Sequence, residues 1–219
     1  MRPDKVTRIA VELTSILSAI ATKGHQLVCF DFGGTLFDFT PLHIRAFLEA
    51  LKVDGGSPAA STVEHTVRAA LVRGLDSFEM ARRIATTLSC REELDIDDIV
   101  IRKRSLIEDY LKNAKLEDSV CQFLVQTLGV SSVAVISLGH VGSMKTVLKG
   151  SLGDLADKIA VYGRHSAGER VEKSQLLRRA IKEAGVPQTR MAYVGDAEVD
   201  ESIALELGID YIRVRSFLG

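Results

Sequence analysis

Short apolar runs alternate with longer segments of helical periodicity at both ends of the chain. The runs are four to six residues long and end in polar residues or glycine, which is typical of strands buried on both faces. They cover residues 26–31, 132–136, 158–162, 191–194 and 209–214. Helical segments separate the later runs, at 116–128, from 144, at 172–184 and at 198–207. Gly185 and Gly208 follow the last two helical segments and are common helix-ending signals.

The stretch from Pro41 to about Lys115 has only helical periodicity. Thr40 and Pro41 predict an N-cap followed by the first helical residue, and the loop at 54–58 ends this helix. The predicted helices cover about 42–52, 61–73, 76–89 and 95–113. No part of this stretch has a convincing strand pattern, so we interpret it as a helical module inserted after the first strand.

Strands that alternate with helices predict an α/β fold with a Rossmann-like, doubly wound parallel sheet. Residues 1–40 and 115–219 form the predicted core domain, and residues 41–114 form the inserted, all-helical part. Apolar positions at helical spacing predict an amphipathic helix over 4–22. These positions are Val6, Ile9, Ala10, Leu13, Ile16, Leu17 and Ile20. We expect this helix to pack on the core, and the alternative is a contact with a partner, such as a second copy in a homodimer.

Composition places the chain among ordinary globular proteins. Of its 219 residues, 46% are hydrophobic and 26% are charged, and the net charge is −1. Such a balance gives no general attraction to nucleic acid or to an anionic membrane, and no apolar segment is long enough to span one. Cys29, Cys90 and Cys121 lack metal-binding spacing, so we expect reduced thiols in a cytoplasmic protein.

Polar residues with compatible chemistry stand at the ends of three predicted strands. Asp31, Ser137 and Asp196 follow the first, second and fourth apolar runs, and Lys173 opens the helix before the fourth. Parallel packing brings the carboxyl ends of strands to one edge of the sheet, where α/β proteins bind ligands. These four residues therefore predict one site for a divalent metal and a phosphate-like group.

These residues lie in segments that resemble the haloacid dehalogenase superfamily of phosphohydrolases. The segment at 30–36, Phe-Asp-Phe-Gly-Gly-Thr-Leu, is similar to the first motif of that family, usually written DxDGT. The strand ending at Ser137 resembles the second motif, Lys173 resembles the third, and the segment at 194–200, Val-Gly-Asp-Ala-Glu-Val-Asp, resembles the fourth. The helical module is similar in position to the C1 cap of the family.

The resemblance implies a role for each matching residue. Asp31 would be the nucleophile and a Mg²⁺ ligand, and Asp196 and the Gly33 carbonyl would supply further oxygen ligands. Asp200, grouped with the metal residues, would orient Lys173 or a metal-bound water. Phosphate-binding roles fall to backbone N–H groups of the turn and to side chains at the strand ends. The residues concerned are Gly33, Gly34, Thr35, Ser137 and Lys173. Lys173 would also assist catalysis by neutralising charge.

The first motif departs from the family pattern at one position. Gly33 stands where phosphatases of this family have a second aspartate, which protonates the leaving group and then activates water. A general acid–base contributes about 10²–10⁴-fold to the rate. The substrate could therefore have a good leaving group, such as a sugar 1-phosphate or an acyl phosphate. Otherwise His43, His65 or His140 could supply the proton, although each is more simply a surface or capping histidine.

The sequence supports a Mg²⁺-dependent hydrolase of a small phosphorylated metabolite that acts through an aspartyl-phosphate at Asp31. The alternative is a catalytically impaired module of the same family that binds a phosphorylated ligand or a protein partner. Phosphonoacetaldehyde hydrolase chemistry requires a lysine in the cap, and none occurs between Val53 and Arg102, although Lys52 remains near the end of the first predicted helix of the module. Haloacid dehalogenases carry other residues after the nucleophile. Arginines of the module could clamp an anion or simply face solvent, and they are Arg68, Arg73, Arg82, Arg83, Arg91 and Arg102.

Overall fold

A parallel sheet of five strands forms the centre of the molecule. The computed structural model describes residues 5–88 and 94–214, with side chains from residue 13 onward within these ranges. The strands are β1 (Leu27–Asp31), β2 (Ser132–His140), β3 (Ile159–Arg164), β4 (Met191–Gly195) and β5 (Asp210–Arg213). Their order in the sheet is β3-β2-β1-β4-β5, and every neighbouring pair is parallel. The predicted α/β fold with a doubly wound parallel sheet is confirmed.

The order of the strands changes direction at β1. After β1 the chain adds β2 and β3 on one side of it, and then returns to add β4 and β5 on the other side. The carboxyl ends of β1 and β4 are therefore adjacent while their connections leave in opposite directions, which opens a crevice suited to a ligand. Asp31 is the last residue of β1, and Asp196 directly follows β4.

Helices cover both faces of the sheet. The described helices are α1 (Lys5–Lys23), α2 (Thr40–Leu51), α3 (Pro58–Val72), α4 (Ser77–Thr87), α5 (Ile96–Leu111), α6 (Asp118–Leu128), α7 (Val141–Leu152), α8 (Lys173–Ala184) and α9 (Glu198–Glu206). Val28 and Phe30 of β1 join the apolar cluster formed with α1, α6 and α7. Leu27 and Cys29 join the cluster formed with α8 and α9. This alternation along β1 explains why its sequence is apolar at every position before Asp31.

The N-terminal helix α1 packs on the core, as expected. Ile16 and Ile20 are buried in the cluster on one face of the sheet, and Leu13 and Leu17 pack against it. The side chains of Val6, Ile9 and Ala10 lie outside the described residues. Within the described ranges, no helix combines the length and apolar character needed to cross a membrane.

Helices α2 to α5, which we call the helical insertion, share a hydrophobic cluster of their own. Phe47, Val67, Ile84 and Ile99 are among its buried members, one from each helix. Within residues 40–88 and 94–111 the structure contains helices and no strand, as predicted. The division of the chain into a core domain and an insertion at residues 40 and 115 stays a prediction.

Two local predictions are wrong. The N-cap position of α2 is Phe39 rather than Thr40, because the Thr40 N–H donates to Asp38 Oδ1 at 3.0 Å and Thr40 is already helical. Strand β2 also continues beyond Ser137, since its pairing with β3 resumes at His140 after an irregularity.

Cys29 and Cys121 are free thiols. The end of the predicted third helix of the insertion, Cys90 and Arg91 all lie outside the described residues.

Candidate active site

Asp31 and Lys173 form a buried ion pair at the switch point of the sheet. Asp31 is placed by β1, whose residues are all buried, and its Oδ1 lies 2.9 Å from Lys173 Nζ. Lys173 is the first residue of α8, so its long side chain reaches back over the ends of the strands. Burial by itself would lower the pKa of the Lys173 ammonium, but the carboxylates of Asp31 and Asp200 raise it overall, so this side chain is a cation.

Asp200 holds Lys173 from the other side. The Lys173 Nζ donates to Asp200 Oδ1 at 2.6 Å, and the buried Tyr193 hydroxyl donates to the same oxygen at 3.0 Å. Asp200 is 0% exposed, and its Oδ2 has no hydrogen-bond partner among the described residues. A buried carboxylate oxygen without a donor is unfavourable unless a cation or a ligand satisfies it. The structure brings Asp200 and Lys173 together, and the orienting role of Asp200 stays a prediction.

Asp196 completes a set of three carboxylates. The Thr35 hydroxyl donates to Asp196 Oδ1 at 3.2 Å, so Thr35 orients a carboxylate in this structure, and its predicted contact with phosphate stays a prediction. Gly34 has φ +82°, and a β-carbon there would overlap the Asp196 carboxylate. Glycine is therefore required at position 34 both by the left-handed backbone and by the close approach of Asp196.

We call Asp31, Lys173, Asp196 and Asp200 the core cluster. One oxygen from each of its three carboxylates lies within 4.8 Å of the other two. Three carboxylates and one ammonium leave a formal charge of −2, which suits a divalent cation. The pKa of the Asp31 carboxyl is raised, chiefly by burial and also by Asp200 and Asp196, with Lys173 opposing. This excess of negative charge and the unpartnered Asp200 Oδ2 fit a hard cation such as Mg²⁺.

The turn after β1 differs from the expectation in one respect. The Gly34 N–H donates to the Phe37 carbonyl at 2.9 Å, so this donor is already used within the turn. The prediction that Gly34 offers its N–H to a phosphate is therefore wrong for this conformation. Gly33 lines the cavity described below, and its predicted contacts with a metal and a phosphate stay predictions.

Phe39 occupies the space beside Gly33. A β-carbon at Gly33 would lie 3.2 Å from Phe39 Cδ2, closer than an ordinary van der Waals contact. Phe39 also packs edge-on against Phe32 and Phe37, with ring centroids 5.6 Å and 4.9 Å away. Position 33 therefore lacks the acid of the first motif, and the Phe39 ring packs where the side chain of that acid would start.

Ser137 lies at the same edge of the sheet as the core cluster. It is buried and lines the cavity, and its Oγ accepts the Gly139 N–H at 3.2 Å. The cap of the following helix α7 is His140, whose Nδ1 accepts the Ser143 N–H at 3.3 Å. Since Ser137 is not the helix cap, its predicted contact with phosphate stays open.

A cavity of about 160 Å³ separates the core cluster from the helical insertion. Its lining from the insertion includes His43 of α2, Ser77 of α4 and Lys103 of α5, which we call the insertion cluster. Lys103 is 1% exposed, and its Nζ donates to Ser77 Oγ at 2.9 Å. Burial lowers the pKa of Lys103, as do Arg104 and Arg164, while Asp76 opposes this effect.

The three histidines considered from the sequence have different environments. His65 is exposed on α3. His140 lines the cavity, but its Nε2 lies 3.1 Å from the His165 carbonyl while its Nδ1 caps α7, so the neutral ring with a proton on Nε2 satisfies both contacts. His43 also lines the cavity, and within the part of the chain that the structure describes its buried Nδ1 has no hydrogen-bond partner. Burial and then Lys103 lower the pKa of His43, so its imidazole is neutral at pH 7.

Most of the predicted arginine candidates serve as surface residues of their own helices. Each of four arginines forms an exposed ion pair with a residue of its own helix: Arg68, Arg82, Arg83 and Arg102. The arginines that line the cavity are instead Arg104 and Arg164. Arg104 donates to the carbonyls of Ala167 and Glu169 at 2.7 Å and 2.9 Å, which joins α5 to the loop before α8.

Sequence reasoning missed Lys103, although the pattern of α5 contains a signal for it. The buried face of α5 includes Ile99, Val100, Ile107 and Leu111, and Lys103 falls on the same stripe. A lysine at an apolar position of an amphipathic helix is unusual, because burying an ammonium without a carboxylate is unfavourable. The stretch without lysine, from Val53 to Arg102, ends one residue before Lys103.

The fold is an α/β fold with an acidic centre at the switch point of its parallel sheet. Residues 25–208 match the family model described as haloacid dehalogenase-like hydrolase. The chain belongs to this family. No curated protein matches its sequence.

Solved structures share the fold at low sequence identity. CbbY from Rhodobacter sphaeroides in complex with phosphate is 20% identical, with 89% of this chain and 88% of that chain covered and a TM-score of 0.64. A haloacid dehalogenase-like family hydrolase from Streptococcus pneumoniae is 18% identical, with 87% and 84% covered and a TM-score of 0.66. A predicted phosphoglycolate phosphatase from Haemophilus somnus is 20% identical, with 87% and 85% covered and a TM-score of 0.66.

Proposed function

We propose that the chain is a Mg²⁺-dependent hydrolase of a small phosphorylated metabolite, with Asp31 as the nucleophile. The observation that carries this proposal is the buried core cluster, in which Lys173 bridges Asp31 and Asp200 and three carboxylate oxygens lie within 4.8 Å. Asp31, Asp196 and Asp200 would hold the metal, which would neutralise charge on the phosphate when bound.

The proposed reaction has two displacements at phosphorus. An Asp31 carboxylate oxygen forms a bond to phosphorus while the bond to the leaving oxygen breaks, which gives an aspartyl-phosphate and the free alcohol or acid. Lys173 stays within hydrogen-bond reach of Asp31 and neutralises charge as it develops on the phosphoryl oxygens. Water then attacks the aspartyl-phosphate, which releases phosphate and restores the carboxylate.

The leaving oxygen needs a proton or must be stable without one. Gly33 supplies no acid, and of the histidines in the cavity His43 is the one with an unpartnered ring nitrogen. A neutral His43 can accept a proton from the attacking water in the second displacement, while the first displacement favours a substrate with a good leaving group. We therefore expect acyl phosphates and sugar 1-phosphates to react faster than simple alkyl phosphates.

Release of phosphate from a panel of phosphate esters tests the proposal. The wild-type chain is expected to release phosphate with Mg²⁺ and to stop when the metal is chelated, and Asp31→Asn should abolish release. Asp38→Asn is a matched control, because Asp38 lies in the same loop but does not line the cavity, and an Asn oxygen can still accept the Thr40 N–H. A pure, folded wild-type chain without turnover across the panel, with and without Mg²⁺, would contradict the proposal.

A catalytically impaired module that binds a phosphorylated ligand or a partner is the second candidate, and Gly33 with its covering Phe39 favours it. Gly33→Asp combined with Phe39→Leu separates the two, because the second change removes the ring that crowds the new side chain. A gain of about 10²–10⁴-fold in phosphate release would mean that only the acid is missing. A gain of less than about tenfold would mean that the site already uses its own acid or leaving group.

A further inference from the structure

Lys103 is a buried lysine that faces the cavity and has little opposite charge around its amino group. In the described part of the chain, its side chain has one hydrogen-bond partner, the Ser77 hydroxyl at 2.9 Å. Asp76 is the carboxylate with an electrostatic effect on Lys103, and its Oδ1 already accepts the Glu79 N–H at 2.8 Å. An ammonium has three donors, so Lys103 keeps donors that Ser77 does not use.

The surroundings of Lys103 add positive charge. Arg104 and Arg164 are close enough to affect its charge, and both line the cavity. Arg164 is neutralised by Glu108, with Nη1 and Oε1 2.8 Å apart, whereas Arg104 donates to backbone carbonyls that carry no net charge. This side of the cavity therefore favours an anion, in contrast to the core cluster with its excess of carboxylates.

The cavity joins these two oppositely charged sides. Asp31 and Lys173 line it from the core, and Lys103 and Ser77 line it from the insertion. A phosphate ester that reacts at Asp31 would place the rest of its structure in this cavity, which Lys103 also lines. Placing an acceptor there would satisfy the unused donors of Lys103 and offset the unfavourable burial of its charge.

We propose that Lys103, with Ser77 beside it, is the specificity residue of this site and selects phosphate esters that carry a second anionic group. The shared chemistry is an anionic oxygen at the end of a short carbon chain, either a carboxylate or a second phosphate. This proposal rests on the proposed function, because it assumes that the phosphoryl group to be transferred lies at the core cluster.

Three esters with the same two-carbon chain test the proposal: 2-phosphoglycolate, ethylene glycol bisphosphate and 2-hydroxyethyl phosphate. The first two carry the second anionic group as a carboxylate or a phosphate, and the third is the reference without one. Lys103→Met should lower kcat/KM for the anionic esters about 10–100-fold relative to the reference, mainly through KM. The ester that loses more identifies the preferred anion.

Arg102→Met is the matched control. It removes the same charge from the same helix, but Arg102 pairs with Asp98 on the exposed surface at 2.7 Å. This variant should leave the relative kcat/KM of all three esters unchanged. Lys103→Met and Arg102→Met should both unfold cooperatively in urea, which shows that each variant has folded.

Measurements of ester binding test the specificity role of Lys103 even if the chain hydrolyses no ester. If the wild-type chain releases no phosphate from any ester, calorimetry with the three esters in Mg²⁺ still compares wild type with Lys103→Met. A loss of at least about tenfold in affinity, restricted to the anionic esters, would support the specificity role without turnover. Unchanged relative affinities and relative kcat/KM in Lys103→Met, or no binding of any ester to the wild-type chain, would overturn it.

Discussion

The core cluster and the insertion cluster line one cavity but differ in how the charge of their lysine is neutralised. In the core cluster, Lys173 lies 2.9 Å from Asp31 and 2.6 Å from Asp200, so the buried cation is paired on two sides. In the insertion cluster, Lys103 is 1% exposed, and among the described residues its Nζ donates to the Ser77 hydroxyl and lies 5.1 Å from the centroid of the Phe47 ring. The two lysines that line this cavity therefore have contrasting surroundings, one within a network of carboxylates and one beside a hydroxyl.

This difference indicates a division of labour between the two sides. A mutually paired set of charges keeps its geometry whatever the rest of the substrate is, which suits a reaction centre that handles the phosphoryl group. A buried group with unused donors gains most when the correct ligand supplies an acceptor, and it is left unsatisfied by a ligand that lacks one. Selectivity would then reside in the insertion and the chemistry in the core.

The same substitution at both lysines is expected to give the largest contrast. Lys173→Met leaves Asp31 and Asp200 without their shared cation, so we expect it to lower the free energy of unfolding by about 3–5 kcal/mol. Phosphate release should fall by at least about 10²-fold. Lys103→Met removes a buried ammonium that has no carboxylate partner, so it should leave stability within about 1 kcal/mol of wild type or raise it.

Urea unfolding of the two variants beside the wild-type chain measures this contrast. Equal destabilisation by Lys103→Met and Lys173→Met would show that Lys103 is held by interactions as strong as those of the core cluster. In that case the assignment of one lysine to the network and the other to the ligand would have to be abandoned.

Gly34→Ala tests whether the core cluster depends on its tight turn. Its new methyl group would stand in the Asp196 carboxylate, in addition to the strain at φ +82°, so we expect a loss of about 2–4 kcal/mol and weaker Mg²⁺ binding. Gly185→Ala is the control for strain alone, because Gly185 has the left-handed φ +63° and ψ +19° and open space around it. It should lose about 1 kcal/mol and keep full activity. Equal losses in the two variants would mean that Asp196 moves aside without penalty.

We expect Lys103 of the insertion cluster to make the free energy of unfolding depend on pH. Burial, Arg104 and Arg164 lower the pKa of Lys103 from 10.5, with Asp76 opposing, and His43 is the other titratable group beside it. Between that lowered pKa and 10.5, the unfolded chain binds a proton that the folded chain does not. As the pH falls through this window, wild type therefore loses stability relative to Lys103→Met, by at most about 1.4 kcal/mol per pH unit.

Below the folded pKa of Lys103 the difference between the two chains should become constant. Urea unfolding from about pH 7 to about pH 11 measures it, and groups that titrate in both chains cancel in the comparison. Arg102→Met should show no such trend against wild type. A flat difference for Lys103→Met across the whole range would mean that the Lys103 ammonium stays fully charged in the folded chain, and hence that it has a stronger partner than Ser77.

The core cluster could be predicted from the sequence, because the ends of buried strands can be recognised from the apolar runs that precede them. Asp31 follows a continuous apolar run and Asp196 follows another, and parallel packing fixes which edge of the sheet they share. Local pattern gave the class of fold and the approximate limits of the helices for the same reason. It did not give the use of the Gly34 N–H, since that depends on how the turn closes on Phe37.

The contacts within the insertion cluster could not be predicted from the sequence. Ser77 and Lys103 come together because α4 packs on α5 around a shared apolar cluster, and no rule of spacing relates residues 26 positions apart on two helices. The covering of Gly33 by Phe39 likewise depends on the path of the loop. The sequence could have indicated Lys103 as a lysine on an apolar stripe, but not the cavity it faces.

The smallest expected effect concerns the second donor to Asp200. Tyr193→Phe removes the hydroxyl that lies 3.0 Å from Asp200 Oδ1, but the Lys173 Nζ still donates to that oxygen at 2.6 Å. We expect a loss of about 1 kcal/mol in unfolding free energy and less than about a tenfold loss in phosphate release. Tyr162→Phe is the matched control, because its hydroxyl donates to Glu183 outside the cavity, and it should leave activity unchanged. If Tyr193→Phe lost as much activity as Lys173→Met, the position of Asp200 rather than the charge of Lys173 would govern the core cluster, and the contrast between the two lysines would no longer explain the site.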